Sequence, residues 1–194
     1  MRSLVRENSV GPQNLVYPLF VHTKDHNEPI GSMPGCERHS VASALKEVQF
    51  AQSLGVNNFI IFPKIPEELK TNYADECYNP NGLVPQLVMN LKHKMPTITV
   101  WTDVALDPYS DQGHDGVVSS DNRGDGGMGR ILNDETIEQL CRQAVCQARA
   151  GSDVLGERPP QGRRHAGREL QTGRRTGPPV ADALCAGASP LCVL

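Results

Sequence analysis

A dense group of carboxylates lies in the stretch TDVALDPYSDQGHDG, residues 102–116, directly after an apolar run. Asp103 and Asp107 are four residues apart, and Asp115 follows across a turn that contains Gly113. If the three side chains converge, their like charges raise one another's pKa, and a cation between them removes this repulsion. Because all the ligands are oxygens, the group favours Mg²⁺ over zinc, which prefers thiolate or imidazole.

Two other interpretations of this stretch compete with an ion site. Its spacing does not fit an EF-hand loop, because the glycine comes one position late when counted from Asp107 and no glutamate closes the loop. Acidic, glycine-rich loops are commonly plain solvated turns, and a single histidine such as His114 is typical of a loop or packing residue. The sequence therefore predicts an ion site at Asp103, Asp107 and Asp115, with a solvated turn as the alternative.

The composition is that of an ordinary soluble domain. A chain of 194 residues is long enough to bury a core, and its net charge of −3 indicates no surface for nucleic acid or for an anionic membrane. No apolar run approaches the roughly 20 residues that span a bilayer, and the first 20 residues lack the pattern of a secretion signal. The cysteines form no C-x-x-C pair, so we expect free thiols in a reducing compartment and no structural zinc. They are Cys36, Cys77, Cys141, Cys146, Cys185 and Cys192.

The elements that position the carboxylates are indicated by hydrophobic patterns. Four short segments rich in β-branched and aromatic residues predict buried strands. They are residues 14–22, 57–63, 97–106 and 151–155. The acidic stretch follows the third of them.

Three helical patterns separate these strands. In the first, Ser40 is expected to cap the helix and Gly55 to end it, and in the last, Asn133 or Asp134 caps and Gly151 follows. The residues expected to face inward recur three or four apart in each helix. They are Val41, Leu45, Val48, Ala51 and Leu54; Leu83, Leu87, Leu91 and Met95; and Ile137, Leu140, Cys141, Ala144 and Ala148.

Alternating strands and helices predict right-handed parallel βαβ units. A doubly wound sheet and a (β/α) barrel both fit this order. Both folds bind ligands at the carboxyl ends of their strands, so the acidic stretch lies where sites are built.

From Gly156 onward this pattern is lost. Residues 156–194 are dominated by Gly, Pro, Ala and Arg and contain no Phe, Ile, Lys, Asn, Tyr or Met. We interpret this tail as a GC-rich stretch read in the wrong frame or through an intron, with a disordered Arg-rich tail as the alternative. The tripeptide RGD at Arg123 to Asp125 is an accidental match to a cell-adhesion motif, because no secretion signal accompanies it.

Seven segments resemble, in order, the blocks of the delta-aminolevulinic acid dehydratase (porphobilinogen synthase) family, from about Arg2 to Leu155. They are RSLVREN, LVYPLFVH, PIGSMPGCERHS, FPKIPEELK, YNPNGLVPQLV, TDVALDPYSDQGHDG and LNDETIEQLCRQAVCQARAGSDV. In the family's zinc form three cysteines follow the third barrel strand, and in its magnesium-dependent form alanine and aspartates replace them. Ala105, Asp107 and Asp115 stand at those positions here, so the chain resembles the magnesium-dependent form.

The resemblance implies the N-terminal half of a (β/α)₈ TIM barrel: an N-terminal arm at 1–13, a partial barrel domain at 14–155 and a tail at 156–194 that does not match. It implies a hydro-lyase that condenses two molecules of 5-aminolevulinate into porphobilinogen, with loss of water, for heme, chlorophyll and other tetrapyrroles. It also implies a homo-octamer. The compartment, plastid or cytoplasm, stays open.

The family holds its substrates through two lysine Schiff bases on later barrel strands, since an imine activates the ketone carbon. The six lysines here are Lys24, Lys46, Lys64, Lys70, Lys92 and Lys94. None follows position 94, and Lys64 matches a non-catalytic position, so no catalytic residue is assigned and we expect an inactive chain. Four strands cannot close a barrel, which leaves open edges and a half-covered apolar face, and we expect aggregation.

Two further functions compete with this interpretation. One is a non-catalytic, metal-binding or regulatory half-barrel that docks on a full-length synthase through its arm. The other is a magnesium-dependent barrel enzyme of different chemistry, which seven ordered blocks argue against.

Overall fold

The computed structural model describes residues 5, 7–119, 130–157 and 192–193. The Arg123 to Asp125 tripeptide and most of the predicted tail lie outside these residues, so the interpretations of both stay predictions. No helix in the described part is long and apolar enough to cross a membrane.

Parallel strands and intervening helices make up the described chain. The strands are β1 (Val16–His22), β2 (Glu28–Pro29), β3 (Glu37–His39), β4 (Asn58–Lys64), β5 (Thr99–Val104), β6 (Val154–Glu157) and β7 (Cys192–Val193). The helices are α1 (Val41–Ser53), α2 (Leu83–Lys94) and α3 (Asn133–Ala150), with short 3₁₀ helices at Pro12–Asn14, Glu67–Leu69 and Asp75–Tyr78. The four predicted strands and three predicted helices are thus confirmed, with boundaries shifted by one to three residues.

These strands form one sheet in the order β2-β3-β1-β4-β5-β6-β7. All neighbours are parallel except β2 and β3, which pair antiparallel. Strands β2 and β3 were not predicted, because segments of two and three residues with charged side chains carry no hydrophobic alternation. Strand β7 lies in the tail, where no strand was predicted.

One face of the sheet carries the core. Leu19 on β1, Ile61 on β4 and Thr102 on β5 are neighbours in register and are buried, and they lie beneath the apolar side chains of the helices. On the opposite face the register aligns Pro18, Ile60 and Trp101, which are exposed or half-buried. Helices on one face of a parallel sheet are the arrangement of a (β/α) barrel, whereas a doubly wound sheet has both faces covered.

Several predictions about the helices need correction. Leu54 and Ile137 are exposed: Leu54 is the C-cap residue just after α1, and Ile137 lies in the second turn of α3, on its solvent side. The N-cap position of α3 is Leu132, without a side-chain cap bond, so neither Asn133 nor Asp134 caps it. Ser40 does cap α1, accepting a hydrogen bond from the Ser43 N–H.

The largest departure lies on the buried face of α3. Three glutamines, Gln139, Gln143 and Gln147, are buried there beside Leu140 and Ala144. Cys141, which was predicted to be buried, is only half-buried. A pattern of hydrophobic residues cannot anticipate this, because the amides of Gln143 and Gln147 are buried where they donate hydrogen bonds to the backbone at the end of β5.

Candidate functional site at the carboxyl end of the sheet

A cavity of about 430 Å³ lies beyond the carboxyl ends of β1, β4 and β5. Its wall includes the rings of Phe20 and Phe62, which stack with centroids 5.7 Å apart. Strands β1 and β4 place these rings on the sheet face that the helices leave uncovered, since Phe20 lies two residues after Pro18 and Phe62 two residues after Ile60. The cavity therefore has an apolar wall inside the partial barrel.

Asp103 and Asp107 both line this cavity. Asp103 belongs to β5 and is half-buried, and it lies two residues after Trp101 and so on the same, uncovered face of the sheet. Asp107 is exposed, in the turn that follows the strand. Two of the three predicted ion ligands are thus brought to one cavity.

Asp115 does not line the cavity. Its Oδ1 accepts a hydrogen bond of 2.7 Å from the Leu106 N–H, across the loop. This bond joins the turn after β5 to the residue before Gly116. The Asp115 carboxylate therefore stabilises the turn that carries Asp107.

Cations share the cavity with the two carboxylates. Arg38, Lys64 and Lys70 line it together with Glu67. The Lys70 Nζ is 2.7 Å from Glu67 Oε1, and the Lys64 Nζ is 3.5 Å from Glu28 Oε2. The cavity is therefore mixed in charge.

The donor chemistry fits magnesium in part. Across residues 5, 7–119, 130–157 and 192–193 there is no group of three His, Cys, Asp or Glu side chains arranged to hold a metal ion. Magnesium in proteins is commonly held by one or two carboxylates and keeps several waters. Asp103 and Asp107 satisfy that smaller requirement, and the predicted three-carboxylate cluster is not assembled in this arrangement.

The loop behind the carboxylates is anchored by Tyr109. The Tyr109 ring is buried, and its backbone O accepts a hydrogen bond of 3.2 Å from the Thr71 N–H. Burial raises the pKa of the Tyr109 hydroxyl well above its ordinary value, with the nearby Cys77 thiol acting in the same direction. Sequence reasoning did not identify this residue.

Residues 117–119 and 130–132 pair with each other, since the Ser119 N–H donates to the Arg130 O at 2.7 Å and the Leu132 N–H donates to the Val117 O at 2.8 Å. Val118 and Ile131 form an isolated antiparallel bridge, and the Asn72 side chain both donates to and accepts from the Val118 backbone. The segment around Asn72 therefore holds the acidic loop from one side.

Comparison with known proteins gives the same family for most of the chain. Residues 1–159 match the sequence model of the family described as delta-aminolevulinic acid dehydratase. The chain is 51% identical over 156 residues to the chloroplastic delta-aminolevulinic acid dehydratase of Glycine max, covering 80% of this chain and 36% of that protein. It is 53% identical over 156 residues to the chloroplastic protein of Hordeum vulgare, covering 80% of this chain and 35% of that protein.

A solved structure agrees in fold as well as in sequence. The delta-aminolevulinic acid dehydratase of Toxoplasma gondii, in complex with the reaction product porphobilinogen, superposes with a TM-score of 0.75 at 49% identity, covering 80% of this chain and 43% of that one. The chain thus spans about a third of the length of the curated relatives it matches.

Proposed function

The chain belongs to the delta-aminolevulinic acid dehydratase family, and we propose that it supplies the N-terminal half of a porphobilinogen synthase active site. The observation that carries this proposal is the cavity beyond β1, β4 and β5, which Asp103 and Asp107 line together. The proposed ligand of the complete site is 5-aminolevulinate. Its amine and carboxylate match a cavity of mixed charge.

Magnesium is the proposed ion, with Asp103 and Asp107 as its ligands. A bound ion would neutralise the two carboxylates and order water between them. Asp115, the third residue expected from the sequence, is proposed to shape the loop through its bond to the Leu106 N–H. The relatives from Glycine max and Hordeum vulgare are chloroplastic proteins, and we propose the plastid as the compartment.

We propose further that these 194 residues do not carry out the condensation by themselves. A Schiff-base lysine has to present a neutral amine in a desolvated pocket. Lys64, the lysine at the carboxyl end of β4, has a side chain that is 50% exposed and pairs with Glu28. A hydrated, paired ammonium is a poor nucleophile.

A turnover assay tests this proposal. The purified chain is incubated with 5-aminolevulinate, with and without Mg²⁺, beside an in-frame version extended to the full length of its relatives. We expect porphobilinogen only from the extended version and only with Mg²⁺. Product from the 194-residue chain would refute the claim of inactivity, and an extended version that is inactive with Mg²⁺ would refute the synthase assignment.

A second candidate function is docking on a complete synthase without catalysis. Val5 and Val10 of the arm are 77% and 81% exposed, and Leu15 and Val16 at the start of β1 are also exposed. Arms with unburied aliphatic side chains suit contact with another subunit of the family's oligomer. Co-purification of the tagged chain with a full-length synthase, lost when Val10→Asp is introduced, would support this function.

A further inference from the structure

Three glutamines on α3 are buried where an amphipathic helix usually buries aliphatic side chains. Gln139, Gln143 and Gln147 are spaced by four residues and are 6%, 0% and 1% exposed. Burying a primary amide is costly unless its polar atoms find partners. The bonds that these amides make therefore indicate why they are there.

Two of the amides donate to the end of β5. The Gln143 Nε2 donates to the Ala105 O at 3.1 Å and to the Asp103 O at 3.5 Å. The Gln147 Nε2 donates to the Asp103 O at 3.3 Å. Ala105 lies one residue beyond the last strand pair, Val104 with Glu157. The Gln143 amide thus binds the backbone where the sheet ladder stops.

The other end of the acidic turn is closed by backbone hydrogen bonds. The Tyr109 N–H and the Ser110 N–H both donate to the Leu106 O at 2.9 Å. The Gln143 amide thus binds the start of the segment 103–109, which carries both cavity carboxylates, and backbone bonds close the end of that segment.

The orientation of these amides is set by their donor side. The Oε1 atoms of Gln139, Gln143 and Gln147 are buried and have no hydrogen-bond partner within the described part of the chain. With the amide reversed, an Oε1 atom would face the carbonyls of the strand end and be repelled. The donor bonds are thus the interactions that hold Gln143 and Gln147 in place.

We propose that Gln143, assisted by Gln147, is a positioning residue that holds the segment 103–109 so that Asp103 and Asp107 face one cavity. The part of this inference that concerns an ion rests on the proposed function. The part that concerns the backbone of the turn does not.

Hydrogen exchange on the 194-residue chain tests the backbone part. Gln143→Met and Gln147→Met keep the side-chain volume and remove the donors, and Gln139→Met is the matched control, since Gln139 makes no hydrogen bond to β5 among the described residues. In Gln143→Met we expect the amides of peptides covering 103–110 to exchange at least about tenfold faster than in Gln139→Met. Equal exchange in the two variants would overturn the proposal. If Gln143→Met does not fold, Gln147→Met, which removes one donor bond only, gives the same comparison.

A second experiment tests whether Gln143 affects ion binding by the two carboxylates. Mn²⁺ is used in place of Mg²⁺, and its binding is titrated by electron paramagnetic resonance. Loss of a group that orients a ligand weakens metal binding on the order of tenfold, so we expect that loss in Gln143→Met and less than a twofold change in Gln139→Met. Faster exchange with unchanged Mn²⁺ affinity would overturn the link to the carboxylates. An unsubstituted chain that binds no Mn²⁺ would refute the proposed ion site, and the exchange comparison would still decide the role of Gln143.

Discussion

Lys92 on α2 and Asp153 before β6 form a bidentate ion pair, with the Lys92 Nζ 3.0 Å from Oδ1 and 2.9 Å from Oδ2. The same Nζ donates to the Ile98 O at 2.9 Å, and Asp153 Oδ2 accepts from the Val100 N–H at 2.8 Å. The pair thus joins α2, β5 and β6. Sequence reasoning could not predict this pair, because helical spacing gives no sign of a partner 61 residues away.

Removing this pair should destabilise the chain more than removing an exposed pair. Asp153→Ala leaves the Val100 N–H without its acceptor and the Lys92 ammonium with the Ile98 O alone, and we expect a loss of about 1–3 kcal/mol in the free energy of unfolding. The control is Lys24→Met, which removes the exposed pair with Glu28 and should cost at most about 1 kcal/mol. Urea unfolding measures both, and equal losses would contradict the assignment.

Gly151 ends α3 in a conformation that favours glycine. Its φ is +103°, and its N–H donates to the Ala148 O at 3.0 Å. Gly151→Ala should lower the free energy of unfolding by about 1 kcal/mol, because a Cβ is strained in the left-handed region. Gly31→Ala is the control, since a Cβ there meets nothing within 4 Å and its φ is not in that region. A loss from Gly31→Ala as large as that from Gly151→Ala would argue against backbone strain as the cause.

Cys77 should make the fold sensitive to alkali. Burial, reinforced by the Cys146 thiol and Asp75, raises the pKa of the Cys77 thiol from 9.0 to about 12. Between these values the unfolded chain loses the proton and the folded chain keeps it. Stability is therefore fully present below pH 9 and falls as pH rises toward 12, by up to about 1.4 kcal/mol per pH unit for one group.

Urea unfolding from pH 7 to pH 11 measures this slope. Cys77→Ala should flatten the decline above pH 9, whereas Cys36→Ala, at a half-buried position outside the core cluster, should leave it unchanged. Tyr109, whose pKa is also raised by burial, contributes to the decline that remains at higher pH. An unchanged slope in Cys77→Ala would show that this thiol does not control the alkaline limit.

The uncovered sheet face should drive self-association. Ile60 lies on that face and is half-buried, whereas its neighbour Ile61 is 1% exposed in the core. Ile60→Thr should reduce the apparent mass in light scattering with a stability cost below about 1 kcal/mol, and Ile61→Thr should cost about 2 kcal/mol or more. If self-association is unchanged in Ile60→Thr, then another exposed apolar surface, such as the arm, is responsible for it.

Hydrophobic periodicity was sufficient to predict β1, β4, β5, β6 and all three helices, because their burial follows regular spacing along the chain. It could not show that Gln143 and Gln147 replace aliphatic residues on the buried face of α3, since that choice depends on carbonyls of Asp103 and Ala105. The spacing of the acidic residues placed Asp103, Asp107 and Asp115 in one predicted ion site. Which carboxylate binds a backbone N–H depends on turn geometry, and spacing does not determine that geometry.

The different environments of the three aspartates lead to a test of the ion site itself. Asp107→Asn removes a charged donor from the cavity and should weaken Mg²⁺ binding by about tenfold or more, because neutral amide oxygens are weaker ligands than carboxylates. Asp115→Asn keeps an oxygen that can accept from the Leu106 N–H, so the loop conformation should be retained and the Mg²⁺ affinity should change by less than about threefold. Asp115→Ala removes this acceptor, so the loop should lose its conformation and Mg²⁺ binding should be lost with it. Isothermal titration of Mg²⁺ into each variant, with hydrogen exchange at residues 105–110, separates the two effects. If Asp115→Asn abolishes Mg²⁺ binding while exchange at Leu106 is unchanged, then Asp115 is a direct ligand, and the ion is held by three carboxylates in a loop conformation other than the one described above.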